Sequence, residues 1–311
     1  MQLETLKVFR DLVDSRSFSK AAQSNSISQS AVSQQIRGLE ERFRLPLLER
    51  GGGRRIGLTP EGALVYQTAK EIVALYQALQ NRIAEVRNTI AGTIRVSTIY
   101  SVGLYELPPY LKRFLLEYPE VNVRVEYRHS RQVYEDVADG TCDVGIVAFP
   151  AVRKGMKAMP FRKDRLIFIC HPQHPLAKRK EVALEEVAQQ GFVGFTSDMP
   201  TRKGIDQLFR DRKLEIRPVM EFDNIETVKR AVEIDVGVSI VPAATVAQEL
   251  LNGSLAAVEI AGEPCNRPIA LLCKAGRVLS PAVKRFLETL QEERSEGAAV
   301  AVADAPRAVG E

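Results

Sequence analysis

Downstream of Ser28 the apolar residues Val32, Ile36, Leu39 and Phe43 recur at i, i+4, i+7 and i+11, the spacing of one buried helical stripe. Ser30, Ser33, Gln34 and Arg37 fall at i, i+3, i+4 and i+7 on another face of the same helix. That second face carries hydrogen-bonding side chains of a length that reaches base edges in a major groove, where an ordinary solvated helix carries more Glu and Lys. Ser28 is a helix N-cap by type and place, which leaves the helix start free to approach phosphate. Leu6, Phe9 and Val13 predict a first helix, and Ser17 caps a second, short one through Ala22. A polar turn at Asn25–Ser26 separates the second helix from the third, and Pro46 is expected to end the third. Three helices with a tight turn before the last describe a helix-turn-helix.

Residues 47–59 then give two short extended pieces around a glycine-rich tip bearing Arg54 and Arg55. A β-hairpin wing that lays arginines along phosphate or into a minor groove is one reading; a surface loop with two solvated arginines is the other. Thr59, Pro60 and Glu61 form a helix start: a capping hydroxyl, proline at the first position, an acid at the positive dipole end. Val65, Ile72, Leu79 and Val86 recur every seven residues, with Leu75, Tyr76 and Ile83 filling the stripe. About thirty residues at ~1.5 Å each make a rod of roughly 45 Å. A coiled-coil-like seam with a second copy is the favoured partner for that stripe, and packing onto the chain's own domain is the alternative.

Beyond the rod the period changes. Residues 94–98 alternate as a strand, 107–118 are helical, 121–127 form a second strand, 133–138 a short helix and 143–148 a buried strand. This β-α-β-α-β rhythm predicts a doubly wound sheet. A second set follows, with strands at 166–170, 191–195, 216–222 and 238–241 and helices at 203–212 and 225–234. A strand at 269–273 and a helix at 281–292 return to the first lobe. Two chain crossings, near 161–164 and 262–268, make a hinge like that of periplasmic binding proteins. The expected domain bounds are therefore 1–59 (helix-turn-helix with the hairpin or loop behind it), 60–91 (the long helix) and 92–293 (the two-lobed α/β part), followed by a loose tail at 294–311. Lobe I takes about 92–162 and 267–293, and lobe II about 163–266.

Composition narrows the class without choosing the function. In 311 residues, 45% hydrophobic and 26% charged content match soluble globular averages. The net charge of +4 is too mild to mark a nucleic-acid binder, but residues 1–60 hold ten basic against six acidic side chains, so the whole excess sits at the N-terminus. Cys142, Cys170, Cys265 and Cys273 show no C-x-x-C spacing and read as buried free thiols. The polar opening Met1-Gln-Leu-Glu is no export signal, and no apolar run approaches the ~18 residues of a membrane span. A reducing cytoplasm is expected, with no membrane partner.

The run Phe18-Ser-Lys-Ala-Ala22, Ser28-Gln-Ser-Ala-Val-Ser-Gln-Gln-Ile36, Leu39-Glu40, Leu47-Leu48-x-Arg50 and Leu58-Thr-Pro-Glu-Gly62 resembles the LysR-type transcriptional regulators, and the likeness extends to about residue 293. Ser30 stands where many members have proline, Leu48 where phenylalanine is usual, and Gly51–Gly53 make an unusually pliable wing tip. The resemblance implies an α/β chain: a winged helix-turn-helix, mostly α, a linker helix and a two-lobed α/β effector domain, assembled as a dimer of dimers. It implies binding to interrupted palindromes on double-stranded DNA near promoters, with a small ligand altering DNA bending and RNA polymerase recruitment. By position Ser28, Gln29, Ser30, Ser33, Gln34 and Arg37 would cap, read or position at bases, and Arg50, Arg54 and Arg55 would hold backbone or minor groove. Subgroups that sense sulfur or carbon-assimilation metabolites are the suggested relatives.

Ligands of open α/β sheets sit beyond the carboxyl ends of strands. That rule selects Thr98, Tyr100 and Ser101 after the first strand, His129, Ser130 and Arg131 after the second, and Phe149 after the third. The second lobe offers Thr196, Thr201, Arg202 and Asn224. Hydroxyls, helix N-termini and two arginines converging on one cleft suggest a small anionic effector. Taken singly, Ser101, Thr201 and Asn224 read equally well as N-caps, His129 as a loop histidine, and Arg131 and Arg202 as solvated charges. His171 and His174, each beside proline and without clustered carboxylate or thiolate, describe a turn rather than a metal site. No nucleophile–base set and no phosphate-cradling glycine loop occurs, so neither catalysis, a metal nor a cofactor is expected. The rival class is a solute-binding protein whose N-terminal helices serve only assembly.

Overall fold

The computed structural model describes residues 2–49, 56–86, 90–262 and 265–292. They fall into two compact units, Met1–Arg87 and Asn88–Glu311.

In the first unit α1 spans Leu3–Ser15, α2 Phe18–Ser24 and α3 Gln29–Phe43. Leu6, Val8, Phe9 and Leu12 of α1 meet Ala21 and Ala22 of α2 and Val32, Ile36 and Leu39 of α3 in one core. Ser17 Oγ caps α2 by accepting from Lys20 N, and Asn25 Nδ2 ties the following turn to Asp11 at 2.8 Å. The third helix departs from expectation at its end. Phe43 is 40% exposed rather than part of the buried stripe, and the helix stops where Arg44 turns left-handed (φ 56°), two residues ahead of Pro46. Glu40 Oε1 then accepts from Leu47 N and Leu48 N, locking the helix end to the next segment. Leu48 and Leu58 pair antiparallel, as wing flanks should, while residues 50–55 lie outside the described residues.

The long helix α4 runs Pro60–Val86. Thr59 Oγ1 accepts from Gly62 N at 2.9 Å and donates to Pro46 O at 2.7 Å. Gly62 is required there: a Cβ would stand 2.0 Å from Leu47 O. The heptad stripe divides in two. Val65, Tyr66, Ala69 and Val73 pack on the core of the first unit, while Leu75, Leu79, Ile83 and Val86 are exposed in the single chain. Packing on the chain's own domain thus accounts for the first half of the helix, and the second half keeps its apolar face exposed.

The second unit opens with β1 (Gly92–Thr98), α5 (Tyr100–Tyr105), α6 (Pro108–Glu117), β2 (Val121–Tyr127), α7 (Ser130–Asp139) and β3 (Val144–Ala148). Then come β4 (Met156–Cys170), β5 (Glu181–Val182), α8 (Leu184–Val187), β6 (Phe192–Phe195), α9 (Pro200–Asp211) and β7 (Pro218–Phe222). The unit closes with α10 (Ile225–Glu233), β8 (Ser239–Pro242), α11 (Ala247–Asn252), β9 (Ala256–Ile260), β10 (Asn266–Lys274) and α12 (Pro281–Glu292).

The strand order is β2-β1-β3-β10-β4-β9-β5, with β8 also on β4 and β6 pairing β7. The first three strands run parallel, and β10 runs antiparallel to both β3 and β4. The expected hinge of two crossing points is instead a pair of long strands. β4 pairs with β10 as far as Arg165, then with β8 and β9 from Leu166 onward, so one strand serves both lobes. Each lobe has its own core. Ile94, Val96, Val144, Phe114 and Phe286 fill the first; Phe168, Phe192, Phe209 and Ile240 fill the second.

Candidate functional site

Two surfaces carry unspent chemistry, one in each unit. On α3 the buried Val32, Ile36 and Leu39 fix the helix rotation, which leaves Gln29, Ser30, Gln34 and Arg37 exposed and Ser33 half-buried. Ser28 Oγ accepts from Ala31 N at 3.1 Å and exchanges a hydrogen bond with Ser30 Oγ at 2.8 Å, so this pair serves the helix start. Gln29, Gln34 and Arg37 have no side-chain partner among the described residues. Arg50, Arg54 and Arg55 lie outside the described residues.

In the second unit a cavity of about 80 Å³ opens between the lobes. Tyr100, Ser101, His129, Ser130, Arg131, Thr201 and Asn224 line it. Four of the sequence-derived candidates do not. Thr98 is fully buried, its hydroxyl turned onto Ile99 O at 3.3 Å. Phe149, held at φ 47°, lays its ring on Gly204 of α9, where an added Cβ would meet it at 2.5 Å, so it fastens lobe to lobe. Thr196 N donates to Phe222 O within the second lobe. Arg202 is buried and engaged inside its own lobe: it donates to Phe195 O at 2.8 Å, to Asp206 at 2.7 Å and to Glu221. A guanidinium with three of its five N–H donors so used holds α9 to β6 and β7, and it is not part of the cavity lining.

The cavity also gains residues that the strand-end rule missed, among them Arg128, Asp198, Met199, Asp223 and Arg267. His129 Nε2 stands 3.7 Å from Asp223 Oδ2 across the lobes, while Arg131 pairs along its own helix with Glu135 at 3.0 Å. Arg267 lies opposite Asp164 in the β4–β10 register and pairs with it at 2.6 Å, both side chains buried. Burial pulls the Arg267 guanidinium below its ordinary pKa, against the opposing pull of Asp164. Burial likewise pushes the Glu106 carboxyl upward, although Arg162 stands 2.7 Å away. The polar pair Asn266-Arg267 ahead of an apolar strand marked this position, had the crossing been counted as a wall.

A second buried cation spans the lobes. Lys229 Nζ of α10 donates to Tyr105 Oη at 2.6 Å, Thr245 O at 2.9 Å and Glu249 Oε1 at 2.7 Å. Burial works against its charge, yet the bonds with Glu249 and Tyr105 outweigh it and raise its pKa. His171 and His174 act as turn acceptors, each Nδ1 taking a backbone N–H at 3.2 Å. No helix among the described residues is long and apolar enough to cross a membrane.

Comparison with known proteins places both surfaces in context. Residues 3–63 match the bacterial regulatory helix-turn-helix protein, lysR family, and residues 87–295 match the LysR substrate binding domain. A "Probable RuBisCO transcriptional regulator" of Trichormus variabilis is 30% identical over 294 residues, covering 93% of this chain and 87% of that one. The HTH-type transcriptional activator CmpR of Synechocystis is 29% identical, covering 93% and 94%. The HTH-type transcriptional regulator CysL of Bacillus subtilis is 27% identical, covering 88% and 91%. Among solved structures, a full-length OxyR variant from Pseudomonas aeruginosa shares the fold at TM-score 0.73 and 19% identity, covering 94% of each chain.

Proposed function

The chain belongs to the LysR family of bacterial helix-turn-helix transcriptional regulators, and from that premise we propose how its two units act. α3 enters a major groove of promoter DNA with Gln29, Ser33, Gln34 and Arg37 toward the bases. Arg50, Arg54 and Arg55 add phosphate or minor-groove contacts from the wing. The observation that carries this reading is the exposed, unpartnered set Gln29, Gln34 and Arg37 on a helix whose opposite face is locked in the core. Two copies join along the exposed apolar half of α4, where Leu75 is 72% and Val86 88% exposed. Paired readers then engage the half-sites of an interrupted palindrome, and two dimers make the tetramer. The assembly acts in the cytoplasm and recruits RNA polymerase.

The interlobe cavity takes a small anionic effector, whose binding shifts an existing lobe arrangement and thereby changes operator affinity. A solute-binding role with inert N-terminal helices is disfavoured by the match of those helices to a DNA-binding family. Of the three relatives, one carries a name that states what that protein regulates, RuBisCO. Of the two metabolite groups expected, that name fits carbon assimilation.

Gel-shift titration of the full chain against genomic promoter fragments, including the one upstream of its own gene, tests the reading. At physiological salt one fragment is expected to bind at least ~10³-fold more tightly than random duplex, with affinity falling steeply as salt rises. Equal affinity for all fragments at every salt concentration would contradict it.

A further inference from the structure

Among the described residues Arg267 is the largest fully buried side chain, at 1% exposure, and its surroundings satisfy only part of it. Nη2 donates to Asp164 Oδ2 at 2.6 Å and Nη1 to Ser101 Oγ at 2.9 Å. Nε is buried with no acceptor. A charged donor left unpaired away from water forfeits its hydration without return, and native folds keep such groups where a ligand, ion or water completes them. Arg267 is also part of the cavity wall. The orphaned donor and the cavity wall thus belong to one side chain.

The same wall holds two helix starts with unused capacity. α7 and α9 begin there at Ser130 and Pro200, and their N-cap residues, His129 and Met199, give no side-chain acceptor to the first-turn N–H groups. α10 differs, since Asn224 caps it by accepting from Thr227 N at 3.1 Å. Two carboxylates, Asp198 and Asp223, line the cavity as well, but both are exposed and water screens them. The buried charge that lines the cavity is cationic, with its paired carboxylate, Asp164, outside the lining.

We propose that Arg267 determines the specificity of the effector site. Its Nε–H donates to one oxygen of a small oxyanion of the carboxylate, sulfate or phosphate type, whose other oxygens take first-turn N–H groups of α7 and α9. This rests on reading the interlobe cavity as the effector site. The occupant joins three parts at once: the first lobe through α7, the second through α9, and strand β10 through Arg267. Asp164, opposite Arg267 on β4, competes with the anion for the same guanidinium. An anion that wins part of that charge loosens the tie between β10 and β4, the strand that serves both lobes, which gives the cavity a mechanical route to the hinge.

The test is calorimetric titration of the full-length protein with inorganic sulfate and inorganic phosphate, ionic strength held constant with chloride. Four proteins are compared: wild type, Ser130→Tyr, Arg267→Lys and Asp164→Asn. Ser130→Tyr fills the cavity with a ring and abolishes binding. Arg267→Lys keeps a cation beside Asp164 but has no Nε–H, and is expected to weaken binding at least about tenfold, the worth of one charge-assisted hydrogen bond. Asp164→Asn retains an acceptor for Nη2 while removing the competing charge, and is expected to tighten binding severalfold. Because these two variants move in opposite directions, misfolding of either cannot imitate the pattern. Binding that Ser130→Tyr removes but Arg267→Lys and Asp164→Asn leave unchanged overturns the role of Arg267 and leaves the cavity reading standing. No binding of either anion to wild type, or binding indifferent to Ser130→Tyr, overturns both.

Discussion

The reading face of α3 and the interlobe cavity both expose polar groups that the fold itself leaves unused, yet they are assembled differently. The α3 face belongs to one helix, and its orientation follows from three buried residues, Val32, Ile36 and Leu39, a few positions away. The cavity is assembled from loop ends and helix starts gathered over more than 160 residues, from Ile99 to Arg267. One surface is stiffened by local geometry; the other depends on buried charges that hold two lobes in register. Damage to the first should therefore alter binding with little loss of stability, and damage to the second should unsettle the fold itself.

The largest effect is expected at the strand crossing. Arg267→Met leaves Asp164 buried without its cation, which costs about 3–5 kcal/mol. Hydrogen exchange of the full chain in urea should show the amides of β4 and β10 opening early while those of α1 to α3 keep their protection. Unchanged protection at β4 and β10 would show that the pair is dispensable, and the contrast between the two regions would fail.

Gly62→Ala makes the complementary break in the first unit. A methyl 2.0 Å from Leu47 O must push α4 off the wing segment, an overpacking cost of about 1–3 kcal/mol. Thermal unfolding and gel shift should report a destabilised first unit with weakened DNA binding, while protection in the second unit stays as in wild type. A smaller effect separates the units by pH. Burial pushes the Cys142 thiol up to about 12 and the Cys170 and Cys273 thiols to about 11, from an ordinary 9.0, and all three lie in the second unit. Each folded-state value is raised, so the unfolded chain loses these protons first. The stabilisation is complete below about pH 9 and is lost as pH climbs toward 11–12. Protection of the second unit should thus fall over that range, with a shallower fall in Cys142→Ala.

The same contrast explains what could be read from the chain. Periodicity located α1 to α4 and most strands around both cores, because helical and strand spacing follow from burial of one face, but it missed β9 and the first ten residues of β4. It reached the end of α3 less well: Arg44 in a left-handed turn stops the helix, a local backbone choice with no glycine to mark it. The strand-end rule brought seven of its candidates to the cavity wall, Tyr100, Ser101, His129, Ser130, Arg131, Thr201 and Asn224. It failed for Arg202 and Phe149, which turn away to hold α9 in place. It also passed over Arg267, which lies at the amino end of β10, whereas the rule looks to carboxyl ends. Polar type and position along the chain mark a residue as available; only the tertiary partners decide whether it has already been engaged.

The most direct test of DNA reading by α3 is the operator-to-random affinity ratio of Arg37→Ala, measured by fluorescence anisotropy with labelled duplexes at physiological salt. Loss of about 1–3 kcal/mol on the operator, little change on random duplex and an unaltered melting temperature are expected, since Arg37 is exposed and bears on no core contact. An unchanged ratio, or an equal loss on both duplexes, would contradict a base-reading role for this face.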